Sequence, residues 1–237
     1  MPIGAWIGIA AGIVALLVIG VGGSFAGYAW GRALGGAAAA ARDANSGDPG
    51  AGDGGGPSPS PGSGSSGLTG DLPLVVDAPD TLQPTLSADL GAEWKNTETD
   101  GAYEQFVDDA TQCVVAIEHG DQFDAEDGWT DASGSGYFID DYESSLRADK
   151  TYADVLQNQL TPRWVDATGG GRVQFMSSFV SYSIAETGEY YRTDVLARVM
   201  AQSAWYMAVY VDCPQSVGNT ERTRITEKII AGLSIDG

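Results

Sequence analysis

RVQFMSSFVSYSIAETGEYYRTDVLARVMAQSAWYMAVYVDCP, residues 172–214, decides the fold. Val173, Phe175, Ser177, Phe179, Ser181 and Ser183 alternate with Gln174, Met176, Ser178, Val180, Tyr182 and Ile184. That period of two sends neighbouring side chains to opposite faces of a strand. Glu186-Thr187-Gly188-Glu189 reads as a turn, and residues 190–200 and 203–212 follow as two long strands around Ala201-Gln202. Three successive strands with such short connections pair antiparallel.

Working outward, residues 113–117 form a short continuous apolar run, as a central strand does, and residues 103–107 are a further strand. Between these and the long strands, residues 142–161 are helical in composition. Leu146, Tyr152, Ala153, Leu156 and Leu160 share a broad face, and Thr161-Pro162 stops the run. After residue 214, Asn219 or Thr220 caps a closing helix whose apolar stripe is Ile225, Ile229, Ile230 and Leu233. The expected class is α+β, a mainly antiparallel sheet covered by helices.

The front of the chain is of another kind. No charged side chain occurs before Arg32, and residues 3–30 are long enough to cross a bilayer. Residues 1–42 are expected to form one transmembrane helix with a Gly/Ala-rich extension. Residues 43–70 are expected to form a disordered linker of Gly, Ser, Pro and Asp, and residues 71–237 one acidic extracytoplasmic domain. A signal peptide cut after Ser24-Phe25-Ala26 is the competing reading. The missing basic start and the long apolar run favour an anchor that stays. Arg32 and Arg42 follow the span and favour a cytoplasmic C-terminus. The two cysteines, the tether and the acidic domain favour an outside one, which is the orientation taken here. Gly4, Gly8 and Gly12 recur every four residues, as do Gly23, Gly27 and Gly31. This spacing puts small residues on one helix face and suits packing against membrane protein subunits in the lipid bilayer.

The chain carries a net charge of −20, with 32 acidic residues against 12 basic. Such a surface repels phosphate backbones, so no nucleic acid partner is expected. The two cysteines, Cys113 and Cys213, sit in or beside apolar segments. They are two separate buried thiols or one disulfide, and the export-capable start favours the disulfide. It would close a loop of about 100 residues, stabilising by roughly 4 kcal/mol at most.

The order of elements resembles the PsbP/Mog1-like family, in particular the small exported members of actinobacteria. The resemblance rests on the helix ending in Val155-Leu156-Gln157-Asn158-Gln159-Leu160, the long strands of residues 188–213 and the closing helix of residues 221–235. It implies an envelope domain of accessory or binding character, with no catalytic residues to carry over. The expected role is therefore a non-enzymatic accessory or scaffold subunit of a membrane complex. The alternative is a tethered module that binds a small molecule, lipid or cation.

No catalytic residue, cofactor or metal is expected. The sole histidine, His119, has no serine or cysteine nucleophile near it in sequence. Asp121, Asp124, Glu126, Asp127 and Asp131 are a carboxylate run that fails the EF-hand spacing, and they read as a solvated loop. Asp140, Asp141 and Glu143 read as favouring a helix start. Tyr190, Tyr191, Trp205, Tyr206 and Tyr210 are read mostly as core. Gly169-Gly170-Gly171 lies in a turn and lacks the lysine of a phosphate loop.

Overall fold

The alternating segment forms three long strands, β7 (Arg172–Ile184), β8 (Tyr190–Met200) and β9 (Trp205–Pro214), in a computed structural model that describes residues 68, 70–121 and 128–237. Their ladders are antiparallel, with Val180 opposite Thr193 and Val195 opposite Tyr210. The first four strands are β1 (Thr85–Ala88), β2 (Trp94–Asp100), β3 (Tyr103–Asp108) and β4 (Cys113–Gly120). Helix α1 (Asp131–Ala148) and the short strands β5 (Tyr152–Gln157) and β6 (Thr161–Asp166) come next. Helix α2 (Asn219–Ala231) and β10 (Leu233–Asp236) end the chain. The main sheet has eight strands in the order β2-β3-β4-β9-β8-β7-β5, with β6 also beside β7, and β1 pairs with β10 in a two-stranded sheet. A mainly antiparallel sheet with two helices is thus the architecture. The membrane-helix positions Gly4, Gly8, Gly12, Gly23, Gly27 and Gly31 lie outside the described residues. Among the described residues no helix is long and apolar enough to cross a membrane.

Alternation explains the layers. Met207, Val209, Val211 and Cys213 face the larger core, with Val115, Ile117, Phe175 and Leu196 from neighbouring strands and Ile225 and Ile229 from α2. The other face, with Tyr206 and Tyr210, lies under α1, where the Phe138 and Tyr142 rings pack on them, tilted, at ring distances of 5.4 and 5.3 Å. Cys113 and Cys213 stand opposite each other on β4 and β9, their Cα atoms 4.3 Å apart, and are joined by a disulfide.

Helix α1 differs from the expected helix of residues 142–161. Its sequence is poor in helix formers, but a capping box starts it: Thr130 Oγ1 accepts from Ser133 N–H, and Thr130 N–H donates to Ser133 Oγ. Packing then overrides propensity. Gly134 lies so close to β8 that a Cβ there would meet Val199 Cγ1 at 2.8 Å. Asp140, Asp141 and Glu143 fall in the middle of this helix and not at its start.

Residues 152–157 are strand, not helix, because the edge of β7 offers unpaired backbone groups. Leu156, counted above in an apolar face, is 64% exposed. The closing helix also stops earlier than expected. Gly232 passes so close to Asp89 that a Cβ would lie 2.5 Å from its carbonyl oxygen, and the chain then pairs with β1. Leu233 therefore belongs to β10, and Gly218 caps α2 in place of Asn219 or Thr220. At the start, Leu68 O accepts from Gly171 N–H and Leu72 N–H donates to Arg172 O. Contact with the domain thus begins inside the stretch read as linker.

A buried ion pair holds one end of the molecule. Arg198 and Asp131 side chains are both fully buried and hydrogen-bonded. Asp131 also accepts from the N–H groups of Ala78 and Ala201, each at 2.9 Å. Arg198 Nη1 donates to Gln174 O and Nη2 to Val76 O. Asp131 is therefore not part of a solvated loop. It ties the segment before β1, the start of α1 and the β8–β9 turn together.

Candidate functional site

The site begins with a broken edge strand. β5 pairs with β7 as far as Gln157 opposite Val180, and β6 resumes the pairing at Thr161 opposite Ser177. Residues 158–160 cross between them, held by Asn158 N–H to Phe179 O at 2.9 Å. Pro162 fits the resumed strand because an edge position tolerates the missing N–H. Helix α2 passes over this region, and between them lies a cleft of about 280 Å³. A second hollow, between β2, β3 and α2, is about 80 Å³.

The cleft wall is polar and internally paired. Arg192 donates through Nε and Nη2 to Asp194 Oδ1, at 3.0 and 2.6 Å, and its guanidinium lies 3.9 Å from the centre of the Phe179 ring. Thr226 Oγ1 donates to Asp194 Oδ2 at 2.6 Å, joining α2 to β8. Arg163 Nη1 pairs with Glu227 at 2.8 Å across the mouth. Ser178 Oγ donates to Asn158 O at 2.8 Å, and Ser177 Oγ donates to Thr161 O at 3.1 Å. These hydroxyls fix the strand break.

The residues singled out in the sequence lie elsewhere. His119, on β4, accepts from Leu86 N–H through Nδ1 at 3.3 Å and stands 6.0 Å from the Trp205 ring. Burial pushes its pKa down, against the nearby Glu104 carboxylate. It is not among the cleft residues. Of the carboxylate run, Asp121 is exposed and Asp131 is buried, while residues 122–127 lie outside the described residues. Among the described residues no cluster of His, Cys, Asp or Glu could hold a metal ion. Tyr206 and Tyr210 are core, Trp205 and Tyr191 are half-buried, and Tyr190 is exposed. Gly169-Gly170-Gly171 turns the chain into β7.

The sequence reading missed the cleft. The available signal was the serine content of β7 at Ser177, Ser178, Ser181 and Ser183, in a strand that is otherwise apolar.

A second buried polar network lies beneath α1. Tyr182 Oη and Thr193 Oγ1 both donate to Asp212 Oδ1, at 3.0 and 2.7 Å, and Tyr142 Oη donates to Thr193 Oγ1 at 3.2 Å. Burial raises the Asp212 carboxyl from 3.8 to about 6, against these hydrogen bonds and the Arg222 charge. The folded state therefore keeps this proton to higher pH than the unfolded chain does. Stability from this group is greatest below about pH 4 and falls as pH rises towards 6. The loss at neutral pH is about 3 kcal/mol at most. Asp212→Asn, which keeps an acceptor oxygen, is expected to be more stable than the wild type at pH 7. The gap between the two should narrow as pH falls from 6 to 4. Thermal melts across that range measure it, and a constant gap would place the raised pKa elsewhere.

Comparison with models of known protein families finds no match. Comparison with curated proteins likewise finds none. Among solved structures, the chain is similar to the Ran-binding protein Mog1p of Saccharomyces cerevisiae, at TM-score 0.41 and 9% identity, over 63% of this chain and 89% of that one. It is also similar to LpqN of Mycobacterium tuberculosis, described as involved in cell envelope biogenesis. There the TM-score is 0.39 and identity 11%, over 65% of this chain and 84% of that one. Likeness at this level transfers no residue role to the present chain.

Proposed function

We propose that this domain is a non-enzymatic binding module of the cell envelope, PsbP/Mog1-like in architecture, held outside the membrane by the apolar span of residues 3–30. The observation that carries the reading is the cleft between the broken edge strand and α2. Its volume of about 280 Å³ is close to the lower end of ligand pockets, which run from about 300 to 1,000 Å³. Its polar groups converge from four elements, β6, β7, β8 and α2. An accessory subunit is the first expectation from the sequence. The cleft moves the binding module ahead of it. The two are compatible, because the four-residue spacing of Gly23, Gly27 and Gly31 would suit a membrane partner while the domain holds a ligand.

The full chain in lipid nanodiscs, screened by thermal denaturation against soluble anions, amines and neutral polyols, tests this. At least one class should raise the melting temperature, since a ligand at a hundred times its Kd stabilises by about 2.7 kcal/mol. Thr223→Leu, at an exposed position of α2 that lines the cleft, should remove the shift. No shift with any class, or shifts that survive in the variant, would count against the cleft. Protease treatment of intact cells tests the location, and a domain protected until the cells are opened would contradict it.

A further inference from the structure

Resting on the cleft as the binding site, we infer that its ligand is a neutral polyhydroxylated molecule, a sugar or the sugar unit of a larger glycan. Charge comes first. The lining residues include two arginines, Arg163 and Arg192, and two carboxylates, Asp194 and Glu227. Each arginine is already paired with a carboxylate. The cleft is therefore neutral within a chain of net charge −20. A free anion would meet guanidinium groups already engaged, together with the repulsion of the whole domain. An amine would meet carboxylates already neutralised, with arginines beside them.

Proton bookkeeping points the same way. Ser177 and Ser178 donate to backbone carbonyls, Thr223 Oγ1 donates to Asn219 O at 3.0 Å, and Thr226 donates to Asp194. A hydroxyl that has given its proton within the protein can only accept from a ligand. These oxygens call for O–H or N–H donors from a ligand, while the Asn158 and Gln159 amides, which also line the cleft, both donate and accept. Phosphate and carboxylate groups bring acceptors and would face these oxygens unfavourably. A polyol supplies donors, and its own oxygens accept from the remaining guanidinium N–H groups.

Saturation-transfer NMR on the full chain in nanodiscs tests the ligand class, with maltose, N,N′-diacetylchitobiose and myo-inositol as neutral probes. Inorganic phosphate and spermidine are the charged ones. At least one neutral probe should bind saturably, and Thr223→Leu should weaken it by at least about tenfold. Thr161→Val, at an exposed edge position, is a second variant expected to weaken binding; it also removes the contact of Thr161 Oγ1 with Ser177 Oγ, so its melt is recorded beside its affinity. A repeat with digalactosyldiacylglycerol in the nanodisc separates the sources. Loss of the maltose signal identifies a glycolipid headgroup, and its persistence identifies a soluble sugar, both within the class inferred. Phosphate or spermidine binding that Thr223→Leu abolishes, with no neutral probe bound, would overturn the ligand class and leave the cleft intact as a site. Binding of no probe would overturn both.

Discussion

Replacing Asp131 with alanine lowers the unfolding free energy of the domain by about 3–5 kcal/mol, the usual cost of stranding one member of a buried ion pair. The loss has three sources in the structure. Arg198 keeps a charge with no counter-ion in a fully buried position. The N–H groups of Ala78 and Ala201 lose their acceptor. The start of α1 loses its tie to the β8–β9 turn. Arg198→Met should cost a comparable amount by leaving the carboxylate alone. The double variant Asp131→Leu with Arg198→Met should cost less than the two singles added, because no buried charge remains. Urea unfolding of the four proteins measures the coupling. A loss below about 1 kcal/mol for Asp131→Ala would mean that the pair is solvated and does not fasten this end of the sheet.

Removing the disulfide is the second large effect. Cys113→Ala with Cys213→Ala should cost about 2–5 kcal/mol. The two residues are 100 apart in sequence and opposite each other on adjacent central strands. The bond therefore restricts the unfolded chain while the native ladder already fixes its ends. The unreduced wild type should give one cross-linked tryptic peptide, and reduction should move its urea midpoint to that of the double variant. An unchanged midpoint after complete reduction would show that the bond contributes nothing beyond the sheet.

Legibility in the sequence followed the range of the interactions that decide each element. The strands of residues 172–184 and 190–200 were readable because the alternation of the first is local and only a short turn separates it from the second. The stripe of Ile225 and Ile229 was readable for the same reason. Helix α1 was not, because Gly134 and Gly136 argue against helix until the sheet they pack on is known. Residues 152–157 have a helix-like spacing of apolar side chains. The free edge of β7 made them a strand. Asp131 read as one more member of an acidic run because its partner, Arg198, is 67 residues away. The cleft is less legible still. It joins a break at residues 158–160 to α2, with no sequence motif, and its hydroxyls look like ordinary surface serines and threonines until their protons are traced.

If the space between the broken edge strand and α2 binds the ligand, as proposed, the backbone around it should be protected when the ligand is bound. Hydrogen–deuterium exchange of the full chain in nanodiscs is compared with and without a saturating concentration of the neutral probe, among maltose, N,N′-diacetylchitobiose and myo-inositol, that binds. Protection should concentrate in peptides covering residues 157–164 and 219–228, with residues 94–108 unchanged. Protection confined to α1 or to β2 and β3, or no protection while the probe is bound, would contradict the account.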